Sequence, residues 1–96
     1  MSAFIGKKVL VRCKNAGVHT GVFVDRTPDT LTLKDSCRIW RWRGAHDLSE
    51  VSMMGVSRSA HTRISCVIPI IQLTASDVCE VMLVAEGVDL SPVHNE

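Results

Sequence analysis

Val9, Val11 and Cys13 alternate with Lys8, Arg12 and Lys14. After Asn15-Ala16-Gly17 the chain resumes with Val18, Thr20, Val22 and Val24 on one side and His19, Gly21 and Phe23 on the other. A period of two marks an extended strand with one face buried. Asn and Gly tolerate the positive φ that a tight connection needs. Residues 8–24 therefore predict a β-hairpin. Arg26-Thr27-Pro28-Asp29 supplies a second turn, because Pro28 fixes φ and Asp29 accepts backbone hydrogen bonds. Thr30 to Lys34 follows as a third strand with Leu31 and Leu33 inward, Asp35-Ser36 as another turn, and Cys37 to Arg43 as a fourth strand. In an extended chain Arg38, Trp40 and Trp42 share one face, while Cys37, Ile39, Arg41 and Arg43 share the other.

The second half is less regular. Asp47-Leu48-Ser49-Glu50 fits a capping box, with Asp47 as N-cap and Glu50 at N3; Leu48, Val51 and Met54 continue at helical spacing and Gly55 closes the segment. This predicts a helix of about two turns over 47–54. Residues 57–62 are polar and read as a loop. Arg63 to Leu73 returns to alternation, with Ile64, Cys66, Ile68 and Ile70 on one side, and Pro69, lacking an N–H, favours an edge position or a bulge. Residues 78–84 fit a strand, with Cys79, Val81 and Leu83 opposite Val78, Glu80 and Met82, and also a helix through Val78, Val81 and Met82; the valines favour the strand. Gly87, Pro92 and a polar end predict a loosely held tail over about residues 88–96. The expectation is a single mainly-β domain over 1–96 with its ordered core at about 5–85. It would hold five or six antiparallel strands, as a small sheet or partly open barrel, with one short α-helix.

Composition sets further bounds. With 96 residues, 46% hydrophobic and 22% charged, the chain fits a small globular domain and not a disordered tail, a collagen-like chain or a coiled coil. A chain this short buries roughly 60–65% of its unfolded surface, so its core is thin, and self-association into at least a dimer is expected to add buried area. The net charge of +1 hides a split: nine Lys/Arg face three Asp up to Arg43, giving +6, whereas two Arg face seven acidic residues from Gly44 on, giving −5. The longest uncharged run, Ile64 to Ser76, is 13 residues, short of the roughly 20 that a membrane helix needs. No basic stretch precedes an unbroken apolar run near the N-terminus, so export is not expected. Cys13, Cys37, Cys66 and Cys79 form no C-x-x-C pair and no Cys/His cluster with zinc spacing. They predict reduced thiols, three or four of them in the core.

One segment stands out chemically. Arg38 to Arg43 holds both tryptophans and three arginines, Arg38, Arg41 and Arg43. An indole face stacks on a nucleobase, and a guanidinium pairs with phosphate or stacks on the same ring. Arg38, Trp40, Trp42, Arg41 and Arg43, with Phe23 as a further aromatic, are therefore the candidate ligand-binding residues. The competing reading makes Trp40, Trp42 and Phe23 core anchors and the arginines a solvated rim. His19, His46, His61 and His94 are scattered and read as surface or turn residues. No H-E-x-x-H, G-x-S-x-G, phosphate loop or G-x-G-x-x-G occurs. Neither catalysis nor a cofactor or metal is expected.

The motifs Lys8-Val9-Leu10-Val11-Arg12, Ala16-Gly17-Val18-His19-Thr20-Gly21, Leu33-Lys34-Asp35, Arg38-Ile39-Trp40-Arg41-Trp42 with Gly44-Ala45, and Leu48-Ser49-Glu50 occur in this order. Over about residues 5–85 the chain resembles a family of short, largely uncharacterised phage and prophage proteins. It departs from that pattern at Cys37, where a small residue or an arginine is expected, and in a shorter, more acidic tail after Gly87. The resemblance implies a phage-encoded protein acting in the bacterial cytoplasm. Some phage proteins of this size are oligomeric sponges that sequester cyclic nucleotides or cyclic ADP-ribose derivatives and so counter host defence. The aromatic and arginine segment makes such non-catalytic nucleotide binding the first expectation. A nucleic-acid-binding β module is a second, with Trp40, Trp42 and Phe23 as platform and Lys7, Lys8, Arg12 and Lys14 on phosphates; the near-zero net charge counts against it. A third is a phage accessory protein that inhibits a host protein through an exposed sheet edge.

Overall fold

The computed structural model describes residues 3–42, 47–57 and 62–93. The hairpin forms as the alternation predicts: β1 (Lys8–Cys13) and β2 (Val18–Arg26) pair antiparallel, with Val9 opposite Gly21 and Val11 opposite His19. Gly17 takes φ +89° in the connection, and the Cys13 N–H donates to the Gly17 carbonyl at 2.7 Å. The turn is also held from a distance. The Asp77 carboxylate accepts from the Asn15 N–H, the Asn15 Nδ2 and the Ala16 N–H at 2.8–2.9 Å. These bonds, the one from the Ala16 N–H first, hold the Asp77 carboxyl below its ordinary 3.8 despite some opposing burial. A carboxyl lowered on folding stabilises the fold fully above its unfolded value and loses that contribution as pH falls through the lowered one. Urea unfolding from neutral pH into acid is therefore expected to lose stability below 3.8, and Asp77→Asn to flatten that acid limb while lowering stability at neutral pH. An unchanged acid limb in the variant refutes the link.

β3 runs unbroken from Thr30 to Arg41, correcting the turn expected at Asp35-Ser36. Its register against β2 shifts between Thr20↔Cys37 and Val22↔Lys34, so β3 carries one extra residue there, and Asp35 takes φ +50°. This is a β-bulge, which lets a strand bend and swaps which residues face each side. Leu31 and Leu33 join one apolar cluster, whereas Cys37 and Ile39 join another. Opposite the bulge, a Cβ on Gly21 would stand 3.0 Å from the Lys34 carbonyl oxygen and 3.1 Å from the Ser36 Cα, so the close approach requires glycine.

The remaining elements are α1 (Leu48–Met54), β4 (Arg63–Ile64), β5 (Ile68–Thr74), a 3-10 turn (Ala75–Asp77) and β6 (Val78–Leu83), the last settling the strand reading of that segment. Asp47 Oδ1 accepts the Glu50 N–H at 2.9 Å and Gly55 ends the helix at φ +80°, as the capping pattern predicts. The sheet order is β4-β3-β2-β1-β6, antiparallel throughout, with β5 on the first half of β3. It is one six-stranded sheet, not closed into a barrel.

The strand expected over Arg63–Leu73 is split. Ile64 and Leu73 join opposite cores, as their odd separation requires, but Ile70, beside Lys34 on the Ile64 side, lies beyond the stretch of that face that the second core covers. Ile64 and Leu73 are buried while Cys66, Ile68 and Ile70 are exposed. Pro69 lies in β5, which among the described residues pairs with β3 alone, the edge placement it favours.

Two cores flank the sheet. One gathers Val9, Val11, Cys13, Phe23, Leu31, Leu33 and Leu73; the other gathers Leu10, Cys37, Ile39, Val51, Ile64, Leu90 and Val93. β1 is thus buried on both faces rather than one, because α1 and the segment through Leu90 and Val93 cover Leu10. The sequence predicts a loose tail there. Instead Leu90 and Val93 are buried, and Ile64 and Val93 exchange backbone hydrogen bonds at 2.8 and 2.9 Å. Of the cysteines only Cys13 and Cys37 are in the core, and burial pushes both thiols up; Cys66 and Cys79 are exposed, and all four are free. Among the described residues no helix is long and apolar enough to cross a membrane.

Candidate functional site

Phe23 leaves the candidate set at once. It is 2% exposed inside the first core, with the Phe4 ring centroid 6.0 Å away. Its ring has no free face to stack a base. Core packing wins because Phe23 shares the inward side of β2 with His19 and Gly21.

The tryptophans separate. Trp40 is 59% exposed, whereas Trp42 is partly buried and packs on the core that holds Ile39. The cause is a further irregularity: Ile39 pairs with Ile64 and Arg41 with Arg63, so β3 again carries one extra residue, at Trp40. Arg41 and Trp40 therefore both lie on the side away from Ile39, the side of Arg38, and Trp42 turns to the opposite one. This corrects the grouping that alternation gave, with Trp42 beside Arg38 and Arg41 across. Trp42 instead borders a hollow with Arg12, Leu48 and Glu80, where Arg12 and Glu80 form an ion pair at 3.5 Å. Arg43 lies outside the described residues, as do His46, His61 and His94.

What the fold brings together is Arg38, Trp40 and Arg41, with Arg63 across from Arg41. Arg38 and Arg41 are exposed, and neither has a carboxylate partner among the described residues. The Arg38 backbone is fixed on both sides: its N–H donates to Ser65 Oγ at 2.8 Å, and its carbonyl accepts from the Ser65 N–H at 2.8 Å. One exposed indole is thus set among guanidinium groups on a backbone that does not have to be ordered on binding. This arrangement suits a stacked ring with a nearby anion. The three-aromatic platform of the nucleic-acid reading is not assembled, since Phe23 is buried and Trp42 faces away.

Beside Arg38 are residues that the pattern of charges and aromatics did not single out. His19, opposite Arg38 on β2, is 1% exposed, not a surface or turn histidine. Its Nε2 lies 3.0 Å from the Ala16 carbonyl oxygen. Burial lowers its pKa, a hydrogen bond to Ala16 opposes this, and the Arg38 charge adds to the lowering. Ser36 and Ser65 complete the polar wall of a small cavity there. His19 sits on the same side of β2 as Phe23, the side that the fold buries; its polarity suggested the surface. Among the described residues no group of three or more His, Cys, Asp or Glu converges as metal ligands would.

No curated protein matches the chain. Residues 6–90, which carry the hairpin, the bulged β3, the helix and the Arg38–Trp40 face, match one family, and the chain accordingly belongs to the family described as a domain of unknown function, DUF6948.

Proposed function

We propose that the protein is a non-catalytic binder that sequesters a phosphorylated, nucleotide-derived signalling molecule, of the cyclic nucleotide or cyclic ADP-ribose type, in the service of a phage countering bacterial defence. The observation that carries the reading is the exposed Trp40 between Arg38 and Arg41, two guanidinium groups without carboxylate partners among the described residues. A base on Trp40 contributes about 1–3 kcal/mol, and a phosphate on Arg38 about 1.5–3 kcal/mol through a charge-assisted bond. The phage origin, the cytoplasmic site of action and an assembly of at least two copies belong to the same proposal.

The test is titration of the purified protein against cyclic nucleotides, cyclic ADP-ribose and a short single strand. Trp40→Ala and Arg38→Ala are each expected to weaken binding of the preferred small ligand about tenfold or more, with the melting temperature nearly unchanged because both side chains are exposed. Heat denaturation should return the compound intact. Full affinity in Arg38→Ala sinks the site assignment, and a cleaved product on chromatography moves the protein to the enzymes.

A second reading, docking of a host protein, draws on β5. This edge strand exposes Ile68 and Ile70, and Val67 just before it is exposed as well. Exposed apolar edge strands invite pairing with another chain. Ile70→Lys should leave nucleotide affinity intact, so a loss of function in the host with that variant alone would favour this reading.

A further inference from the structure

The cavity beside Arg38 has a volume of about 230 Å³, with His19, Ser36, Arg38 and Ser65 as polar walls and Ile68 and Ile71 as apolar ones. That is below the roughly 300 Å³ at which pockets for whole small-molecule ligands begin, so it suits one part of a larger ligand. Two of its walls, Ser36 and His19, are buried. Ser36 is 1% exposed, and its Oγ has no hydrogen-bond partner among the described residues. Buried hydroxyls are nearly always satisfied, and an unmet one bears a desolvation penalty. The β3 bulge holds it there, with Ser36 seated over the bare Cα of Gly21. His19 is also 1% exposed, and its Nε2 must donate to reach the Ala16 carbonyl. Burial and the Arg38 charge favour the neutral ring, which leaves Nδ1 as an acceptor.

A phosphate oxygen only accepts, so it would satisfy Ser36 and repel the Nδ1 lone pair. A hydroxyl both donates and accepts, which satisfies the two groups together. We propose that this cavity seats a sugar hydroxyl of the ligand, the ribose of a nucleotide, with Ser36 Oγ and His19 Nδ1 as its partners. The inference rests on reading the Arg38–Trp40 face as a nucleotide site, with the phosphate on Arg38 and the base on Trp40.

The experiment compares adenosine 5′-monophosphate, its 2′-deoxy and 3′-deoxy counterparts and free D-ribose, by calorimetry and amide NMR, on the native protein, Ser36→Ala and Trp40→Ala. The ribonucleotide is expected to bind about tenfold or more tightly than the counterpart lacking the recognised hydroxyl. Ser36→Ala should erase that difference while leaving the melting temperature of the free protein unchanged or higher, because it deletes a hydroxyl that had no partner. A serine kept only for structure would lower the melting temperature and leave the ratio alone. If ribo and deoxy compounds bind equally and Trp40→Ala still weakens both, the cavity assignment falls and the nucleotide face stands. If no nucleotide binds but D-ribose shifts the Ser36 and His19 amides, the nucleotide reading falls and the sugar site stands. No response to ribose or to any nucleotide overturns the proposal.

Discussion

Phe23→Ala is expected to cost about 3–5 kcal/mol of stability, the range for deleting a fully buried aromatic side chain. Phe23 is 2% exposed, packs with Val9, Leu31, Leu33 and Leu73, and meets the Phe4 ring. Its removal empties a site whose walls are strands fixed by their own ladders, so the cavity cannot collapse. Trp40→Ala removes a larger ring and should change stability by no more than about 0.5 kcal/mol, because Trp40 stands in solvent. Urea unfolding of the two variants side by side decides the matter. A Trp40→Ala protein as destabilised as Phe23→Ala would mean that the indole is an anchor of the fold and not a free stacking face.

Gly21→Val should also be severe, at about 3 kcal/mol or more, the upper end for overpacking against atoms that cannot move aside. The new Cβ meets the Lys34 carbonyl oxygen at 3.0 Å and the Ser36 Cα and Cβ at 3.1 and 3.2 Å. Two of those three atoms are backbone in the bulged stretch of β3. Relief would need that bulge to move, and with it the Asp35 residue at φ +50°. Gly17→Ala offers a contrast, since nothing lies within 4 Å of its Cβ position and the strain there is that of φ +89° alone. Equal melting temperatures for Gly21→Val and the native protein would show that β3 does not press on β2 at this point.

The difference between what the sequence revealed and what it hid follows from register. Local signals sufficed where one segment determines its own conformation: the hairpin over 8–24, the Asp47 cap, the Gly55 stop and, as one of two alternatives, the edge position of Pro69 were readable. Asp35-Ser36 reads as a turn because Asp followed by Ser favours one, and the same positive φ serves a bulge once β2 and β5 pair on either side of it. From there the error spread along the strand. Whether Trp42 lies beside Arg38 or across from it depends on one extra residue at Trp40, and that residue is defined only by the pairing of Ile39 with Ile64 and Arg41 with Arg63. The exposure of Cys66, Ile68 and Ile70 was equally hidden, because how far along a face the helix and the Leu90–Val93 segment reach is decided by distant parts of the chain. Arg38, Trp40 and Arg41 were legible as chemistry, though Phe23 and Trp42 carried the same signal and serve the cores. Ser36 and His19 were not legible, because a buried serine and an inward histidine look like any others until the strands that wall them are in place.

The burial of β1 on both faces has a consequence for how the molecule opens. Val9 and Val11 belong to one cluster and Leu10 to the other, all three with no exposed surface. Neither cluster can melt alone without stripping one side of the strand that the other needs, so the two behave as one cooperative unit. The amide protons of Val9, Leu10 and Val11 should then exchange with solvent only when the whole chain unfolds, at rates that report the global free energy, while those of the β5 edge exchange through local fraying. A chain assembled around a strand shared in this way has no half-folded form in which the Arg38–Trp40 face survives, so that face should vanish in a single step with the last protected amides.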